Sequence, residues 1–296
     1  MRKYNYHTHT YRCGHANGNE EDMVKAAIDM KLDDLGICCH IPLPHYRKHL
    51  ICSLPAIRSI RSLLSLCLST LKNGPSMRMP YLQLDEHLTK ILECQNKYKD
   101  QICIYKGFEA EGLKEYFPYY QSLLDEGKVD YLILGHHFHR HCIHSDYFGR
   151  DHLKKKDIYQ YCNDVEKAIE TKLFSYIAHP DLFLIGYHDY GIDMQTVARR
   201  ICEKAKEYHI PLEMNAGGIR RGLKEVNGES LYSYPNIHFW KIASEVGNDV
   251  ILGLDAHDPL DFNDIIYKQM LSFAKELNLN VIDHFEFLKG NSKGKD

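Results

Sequence analysis

The chain lacks any CxxC pair: its ten cysteines fall at irregular positions, and Cys38 and Cys39 are merely adjacent. That excludes a thiolate zinc knuckle and reads as core filling in a reducing compartment. No stretch approaches the roughly 18 apolar residues of a membrane span. The opening residues, MRKYNYHTHT, hold no apolar targeting segment, so a cytoplasmic protein is expected. A net charge of -3 over 296 residues gives no global field that would draw nucleic acid. No internal repeat or low-complexity linker divides the sequence, so residues 1–296 read as a single domain.

One local absence is informative. Between Ile41 and Leu84 there is no Asp or Glu, while Arg47, Lys48, Arg58, Arg61, Lys72 and Arg78 are present. This is a basic insertion at about 41–84, and its middle, LPAIRSIRSLLSLCLSTL, has apolar residues at helical spacing. It reads either as a lid that attracts an anionic substrate or as a solvated helix with incidental charge.

Histidine is what the chain has in excess, at 19 residues. Short apolar runs alternate with amphipathic stretches along the whole length, the pattern of parallel strands joined by helices. Seven such strands are expected, at 3–9, 34–40, 102–109, 130–137, 174–179, 211–216 and 250–257. Helical spacing fills the gaps, as in EEDMVKAAIDMK, LDEHLTKILECQNKY, KKDIYQYCNDVEKAIE, MQTVARRICEKAKEYH and DFNDIIYKQMLSFAKEL. The class is α/β, either a doubly wound sheet or a closed barrel.

A strand sends residues i and i+2 to one face, so His7 and His9 project together as the first strand ends. Alone the pair is a weak metal signal. The other strands end in His40, Glu109, His137, His179, and Asp255 with His257, all metal-ligand types, and His15 follows the first strand in RCGHANG. In parallel α/β folds the C-terminal strand ends gather at one face, so these distant residues converge. Nine candidate ligands exceed the needs of one zinc ion and imply a cluster. Mixed imidazole and carboxylate donors favour zinc, manganese or iron over calcium or magnesium, and a central carboxylate such as Glu109 could bridge two ions.

The motifs YHTHTYRCGH at 6–15, CCH ending at 40, GFEAE at 107–111, DYLILGHHF at 130–138, YIAHPD at 176–181, LEMNAGGIRRG at 212–222 and VILGLDAH at 250–257 resemble the polymerase and histidinol phosphatase (PHP) superfamily. More narrowly, they resemble its stand-alone histidinol-phosphatase branch. The resemblance runs in order over nearly the whole chain. It implies a distorted, TIM-like seven-stranded (β/α) barrel with a site for three divalent ions, zinc, manganese or iron. It implies that His7, His9, Glu109 and Asp255 hold one ion, that Glu109 bridges to a second held by His137 and His179, and that His15, His40 and His257 hold the third. Glu109, Asp255 and His257 form the expected catalytic set. The chain departs from the family where members commonly read SDH and it reads CCH, and its basic insertion is longer than usual.

The activity implied is hydrolysis of a phosphomonoester, L-histidinol phosphate, through hydroxide generated at the ions. Arg220 and Arg221, in GGIRRG, and Arg78, in SMRMPY, are the candidates for gripping phosphate. Rival readings are a phosphoesterase acting on nucleotides or another small ester, an amidohydrolase, and a non-catalytic metal-binding regulatory module. Residues 136–152 form a loop with six histidines. Of these, His136 should point away from His137 and serve packing or support. His45, His49, His87, His188, His209, His238 and His284 have no partner motif and read as surface or core, and Trp240 reads as core.

Overall fold

Several helices begin where an asparagine offers a cap. Asn19 Oδ1 accepts from the Asp22 amide at 3.0 Å and the Asp22 carboxylate accepts from the Asn19 amide at 2.9 Å, which starts α1 (Glu20–Asp29). The last two long helices, α9 (Ile237–Val246) and α10 (Asp264–Glu276), start on the side chains of Asn236 and Asn263. Between these ends lie α2 (Tyr46–His49), α3 (Ile60–Leu71), α4 (Leu84–Tyr98), α5 (Phe117–Asp125), α6 (Lys155–Glu170), α7 (Ile192–Glu207) and α8 (Ala216–Arg220). The computed structural model describes residues 2–71, 77–141, 143–282 and 287. Lys72 of the basic insertion and His284 lie outside the described residues, as does the side chain of His144.

The strands are short and, apart from β10 and the first half of β3, almost wholly buried, as strands covered on both faces must be. They are β1 (Tyr4–Asn5), β2 (Asp34–Ile37), β3 (Cys103–Ala110), β4 (Tyr131–Leu134), β5 (Tyr176–Ile177), β6 (Leu212–Asn215), β9 (Asp249–Gly253) and β10 (Asn280–Val281). All pair in parallel, in the order β1-β2-β3-β4-β5-β6-β9-β10. A separate antiparallel hairpin, β7 (Lys224–Val226) and β8 (Glu229–Leu231), stands between β6 and β9 in the chain. The seven expected strands are present, but the sheet has eight, which corrects the seven-stranded count. The eighth was hidden because it is a two-residue pairing, Asn280 with Asp249 and Val281 with Val250, too brief to show a period.

The sheet curls until the chain beyond β1 meets the chain beyond β9. Thr8 bridges to Ala256, the His9 amide donates to the Ala256 carbonyl at 2.8 Å, and the Ala256 amide donates to the His7 carbonyl at 3.1 Å. A second bridge sets His40 beside Glu109. These pairings bring the strand ends to one level, which is what places the candidate site. The core beneath is apolar and aromatic, with Trp240 fully buried and its indole N–H donating to Asp181 at 3.0 Å. Among the described residues no helix is long and apolar enough to cross a membrane.

Candidate metal centre

Glu109 lies inside the paired part of β3, one residue before its end, and the other strand-end residues of the expected ligand set lie just past their strands, where the backbone leaves the sheet. His179 and Asp255 have φ values of 48° and 50°, the left-handed region that a non-glycine residue enters at a cost of roughly 1–2 kcal/mol.

Glu109 is the centre of the arrangement. Its Oε2 stands 3.0 Å from His40 Nδ1, 3.3 Å from His9 Nε2 and 3.4 Å from His7 Nε2, yet it has no aligned hydrogen bond. Its Oε1 faces His179 Nε2 at 2.9 Å and His137 Nε2 at 3.4 Å. Asp255 Oδ1 lies 3.4 Å from His7 Nε2 and 3.3 Å from His9 Nε2. His7 and His9 present Nε2 to each other at 3.1 Å, and His15 and His257 do so at 3.0 Å. His15 is the most exposed of the set and reaches it through His257. Donor atoms of His7, His9 and Asp255, of His7, Glu109 and His179, of His40, Glu109 and His137, and of His9, His40 and His257 each lie within 4.8 Å of one another.

The outward sides of the rings decide what this cluster suits. His7 Nδ1 meets Glu213 Oε1 at 2.8 Å, His137 Nδ1 meets Glu111 Oε1 at 3.1 Å, and His15 and His257 place Nδ1 on the carbonyls of Cys13 and Asp255 at 3.0 and 2.9 Å. An Nδ1–H given to an outer acceptor leaves the Nε2 lone pair facing inward, the tautomer a metal ligand needs. Nitrogen pairs at 3.0–3.1 Å would be poor contacts between two imidazolium ions. They suit two ligands on one ion, since bonds of about 2.0–2.1 Å set neighbouring donors roughly 3 Å apart. The residues therefore fit divalent cations.

Electrostatics agrees. Burial opposes ionisation of Glu109, but the imidazoles of His40, His137 and His7 outweigh it and hold the carboxyl well below the usual range. Burial likewise opposes ionisation of Asp255, and His7 and His257 more than compensate. Burial, with His257 adding to it, pushes His9 down to about 4, so this imidazole is neutral. His7 is also buried, yet Glu213, Asp255 and Glu109 raise it well above its usual value. A bound cation would take the place of that proton.

Two glycines make room for the carboxylates. A Cβ on Gly135 would lie 1.9 Å from Glu109 Oε1, and one on Gly253 would lie 1.8 Å from Glu213 Oε1. Glu213 and Glu111 were not singled out from the sequence. Besides holding His7, Glu213 Oε2 accepts from the His179 amide at 3.1 Å and from Asn215 at 2.8 Å. Glu111 holds His137 by ring and by amide, the latter at 2.6 Å. Its position two residues beyond Glu109, on the same strand face, was the available signal. Tyr147, also missed, stacks at 6.5 Å on His137.

The arginines are placed differently from one another. Arg220 does not present an open fork: its Nη1 and Nη2 donate to the carbonyls of Leu254 and Asp255 at 2.6 and 2.7 Å, and its Nε pairs with Asp261 at 3.1 Å. The expected bidentate grip is made on the backbone that carries Asp255, because α8 ends beside that loop. Arg78 is buried in an ion pair with Glu111. Arg221 is exposed, with its guanidinium 5.5 Å over the Tyr234 ring. His136 accepts from the Gly112 amide at 3.1 Å and faces Asp164 at 3.3 Å, on the far side of the strand from the cluster.

A model of the PHP domain matches residues 5–217. A curated relative from Deinococcus radiodurans, named "Probable histidinol-phosphatase", is 26% identical over 261 residues, which is 86% of this chain and 85% of that one. The histidinol phosphate phosphatase of Lactococcus lactis, solved with zinc, L-histidinol and phosphate, matches with a TM-score of 0.66 at 15% identity over 96% of this chain and 97% of its own. A Listeria monocytogenes structure matches with a TM-score of 0.67 at 21% identity, covering 90% and 99%. At such identities the structural likeness speaks for the fold. The PHP match spans well over half of the sequence and includes the strand ends from His7 to His179, so the chain belongs to the PHP domain family.

Proposed function

We propose that the chain is a metal-dependent phosphomonoesterase that converts L-histidinol phosphate and water to L-histidinol and phosphate, a step of histidine biosynthesis in the cytoplasm. The observation that carries the reading is Glu109, a buried carboxylate whose two oxygens face separate sets of inward-pointing imidazoles. The names of the Deinococcus radiodurans and Lactococcus lactis proteins support the substrate.

Three divalent ions, zinc, manganese or iron, would be held by His7, His9, Glu109 and Asp255, by Glu109, His137 and His179, and by His15, His40 and His257. Such ions, when bound, act as Lewis acids toward phosphoryl oxygens and lower the pKa of water. The protein contributes the frame. Glu213 and Glu111 keep the protons of His7 and His137 on Nδ1, Arg78 anchors Glu111, and Arg220 fixes the turn at Asp255. Arg221, on the rim, is the arginine best free to meet a phosphate. In the hydrolysis the water gives up a proton as its oxygen joins phosphorus, the ester P–O bond breaks, and the departing alkoxide takes a proton from solvent or a neighbouring group.

The chain works as one domain, and the basic insertion at about 41–84 serves as a lid. Ties between Arg140 and the Cys52 carbonyl at 3.1 Å, and between Ser145 and the Ala56 carbonyl at 2.5 Å, support this by joining the insertion to the loop that follows His137. The test is phosphate release from histidinol phosphate, nucleotides and sugar phosphates by metal-loaded protein, with His9→Ala as control. Selective release from histidinol phosphate that vanishes in His9→Ala is the expected result. Turnover of another ester alone would overturn the substrate, and no release from any ester under zinc, manganese or iron would overturn the enzyme.

A further inference from the structure

Three residues outside the central cluster come together where the basic insertion meets the barrel loops. His49 ends α2, Glu115 lies in the turn after β3, and His141 follows β4 by way of His137. One donor atom from each lies within 4.8 Å of the others. We propose that His49, Glu115 and His141 form an additional site for a divalent transition cation of the zinc class, which fastens the insertion to the barrel.

His141 is wholly buried, and neither of its ring nitrogens has an aligned hydrogen bond. A buried polar ring left in that state is costly, and ligation of one nitrogen relieves part of the cost. Its Nε2 stands 2.5 Å from Glu115 Oε1, a contact that lacks hydrogen-bond alignment. His49 stacks on His141 with centroids 5.4 Å apart and planes 10° from parallel. Tyr116 walls the site, edge-on to His49 at 5.0 Å and to His141 at 5.6 Å.

Two imidazoles and a carboxylate are a three-ligand set that suits zinc, and the rim at Glu115 leaves a position for water. Burial and the neighbouring His141 push His49 down, and the hydrogen-bonding reach of His141 holds Glu115 below the usual carboxylate range. The donor atoms already lie within 4.8 Å of one another, and His49 and Glu115, both partly exposed, can adjust to the roughly 3.3 Å separations of a tetrahedral ion, the 2.5 Å contact of Glu115 with His141 opening slightly. The strip so fixed already rests on the barrel loop, since the Tyr46 hydroxyl donates to the His141 carbonyl at 3.0 Å.

The experiment uses the full chain, stripped by chelator and titrated with Zn2+, with bound equivalents counted by mass spectrometry of the metal. His49→Ala and Glu115→Gln should each bind one equivalent fewer than the wild type. His9→Ala, which disrupts the central cluster, should keep the equivalent that those two lose. Trypsin cleavage at Arg58 and Arg61, both exposed, should be slowed by Zn2+ in the wild type and in His9→Ala but not in His49→Ala. Glu115 lies on the rim, so its variant keeps the test open if His49→Ala misfolds. Equal metal content in wild type, His49→Ala and Glu115→Gln overturns the site. So does loss of the same equivalent in His9→Ala.

Discussion

Glu213→Gln tests whether a carboxylate outside the proposed ligand set decides how well the cluster binds metal. One side chain there serves three donors: His7 Nδ1 at 2.8 Å, the His179 amide at 3.1 Å and Asn215 at 2.8 Å. A carboxylate has two acceptor oxygens for them, whereas a carboxamide has one. If the amide oxygen turns to His7, its NH2 faces the His179 amide and Asn215. If it turns the other way, its NH2 donates to His7 Nδ1 and moves the ring proton to Nε2, the atom that must face the ion. In the first arrangement two buried donors lose their acceptor, at about 1–3 kcal/mol each; in the second the hydrogen bonds survive, but the proton on Nε2 blocks ligation. The side-chain volume hardly changes, and Gly253 still leaves the space beside position 213, so packing is not the cause of any effect. Metal affinity should fall about 10–100-fold, measured by competition with a chromophoric chelator. The metal-free protein should melt roughly 2–4 °C lower for each kcal/mol lost. Affinity and melting temperature both equal to wild type would refute the claim that Glu213 sets the His7 tautomer.

Two further perturbations separate the roles of space and charge. Gly135→Ala places a methyl 1.9 Å from the present position of Glu109 Oε1, so the Glu109 carboxylate must move; the protein should fold yet bind less zinc at the centre, and an unchanged metal count would sink the argument. His87, buried against Glu20 at 2.6 Å, reads the pH dependence. Burial lowers its pKa, but Cys39 and Glu20 raise it further, to about 9 from 6.5. The folded state thus holds this proton over a range where the unfolded chain has lost it. The stability it adds, about 3 kcal/mol from the size of the shift, is complete below pH 6.5 and is lost as pH rises through 9. Thermal unfolding of wild type and His87→Gln between pH 6 and 10, two values chosen about that window, should converge at the alkaline end; parallel curves would exclude the linkage.

How much of this was legible in the sequence depends on whether a residue acts along its own strand or across the sheet. The residues at strand ends were legible because few types bind metal and because period 2 fixes their side, as with His7 and His9. The glycines of ILGHH and ILGLDAH carried a signal too, since each stands just before an expected ligand and empties the space that a neighbouring carboxylate fills. Glu213 could not be assigned in the same way. It lies on β6, and its partner His7 is 206 positions away; no local pattern states that the curl of the sheet will bring β6 to the first strand. The placement of Arg220 was hidden for a related reason. GGIRRG shows that a guanidinium follows β6, but only the end of α8 beside the 254–255 loop turns it onto backbone carbonyls. The same limit hid the grouping of His49, Glu115 and His141, in which no two members share an element. Strain was equally silent. His179 and Asp255 occupy left-handed backbone that nothing in AHPD or LDAH announces, because the sheet around them imposes it. A site made at strand ends is thus half written: the chain names the donors, and the closure of the sheet decides which oxygen, nitrogen or carbonyl each one meets.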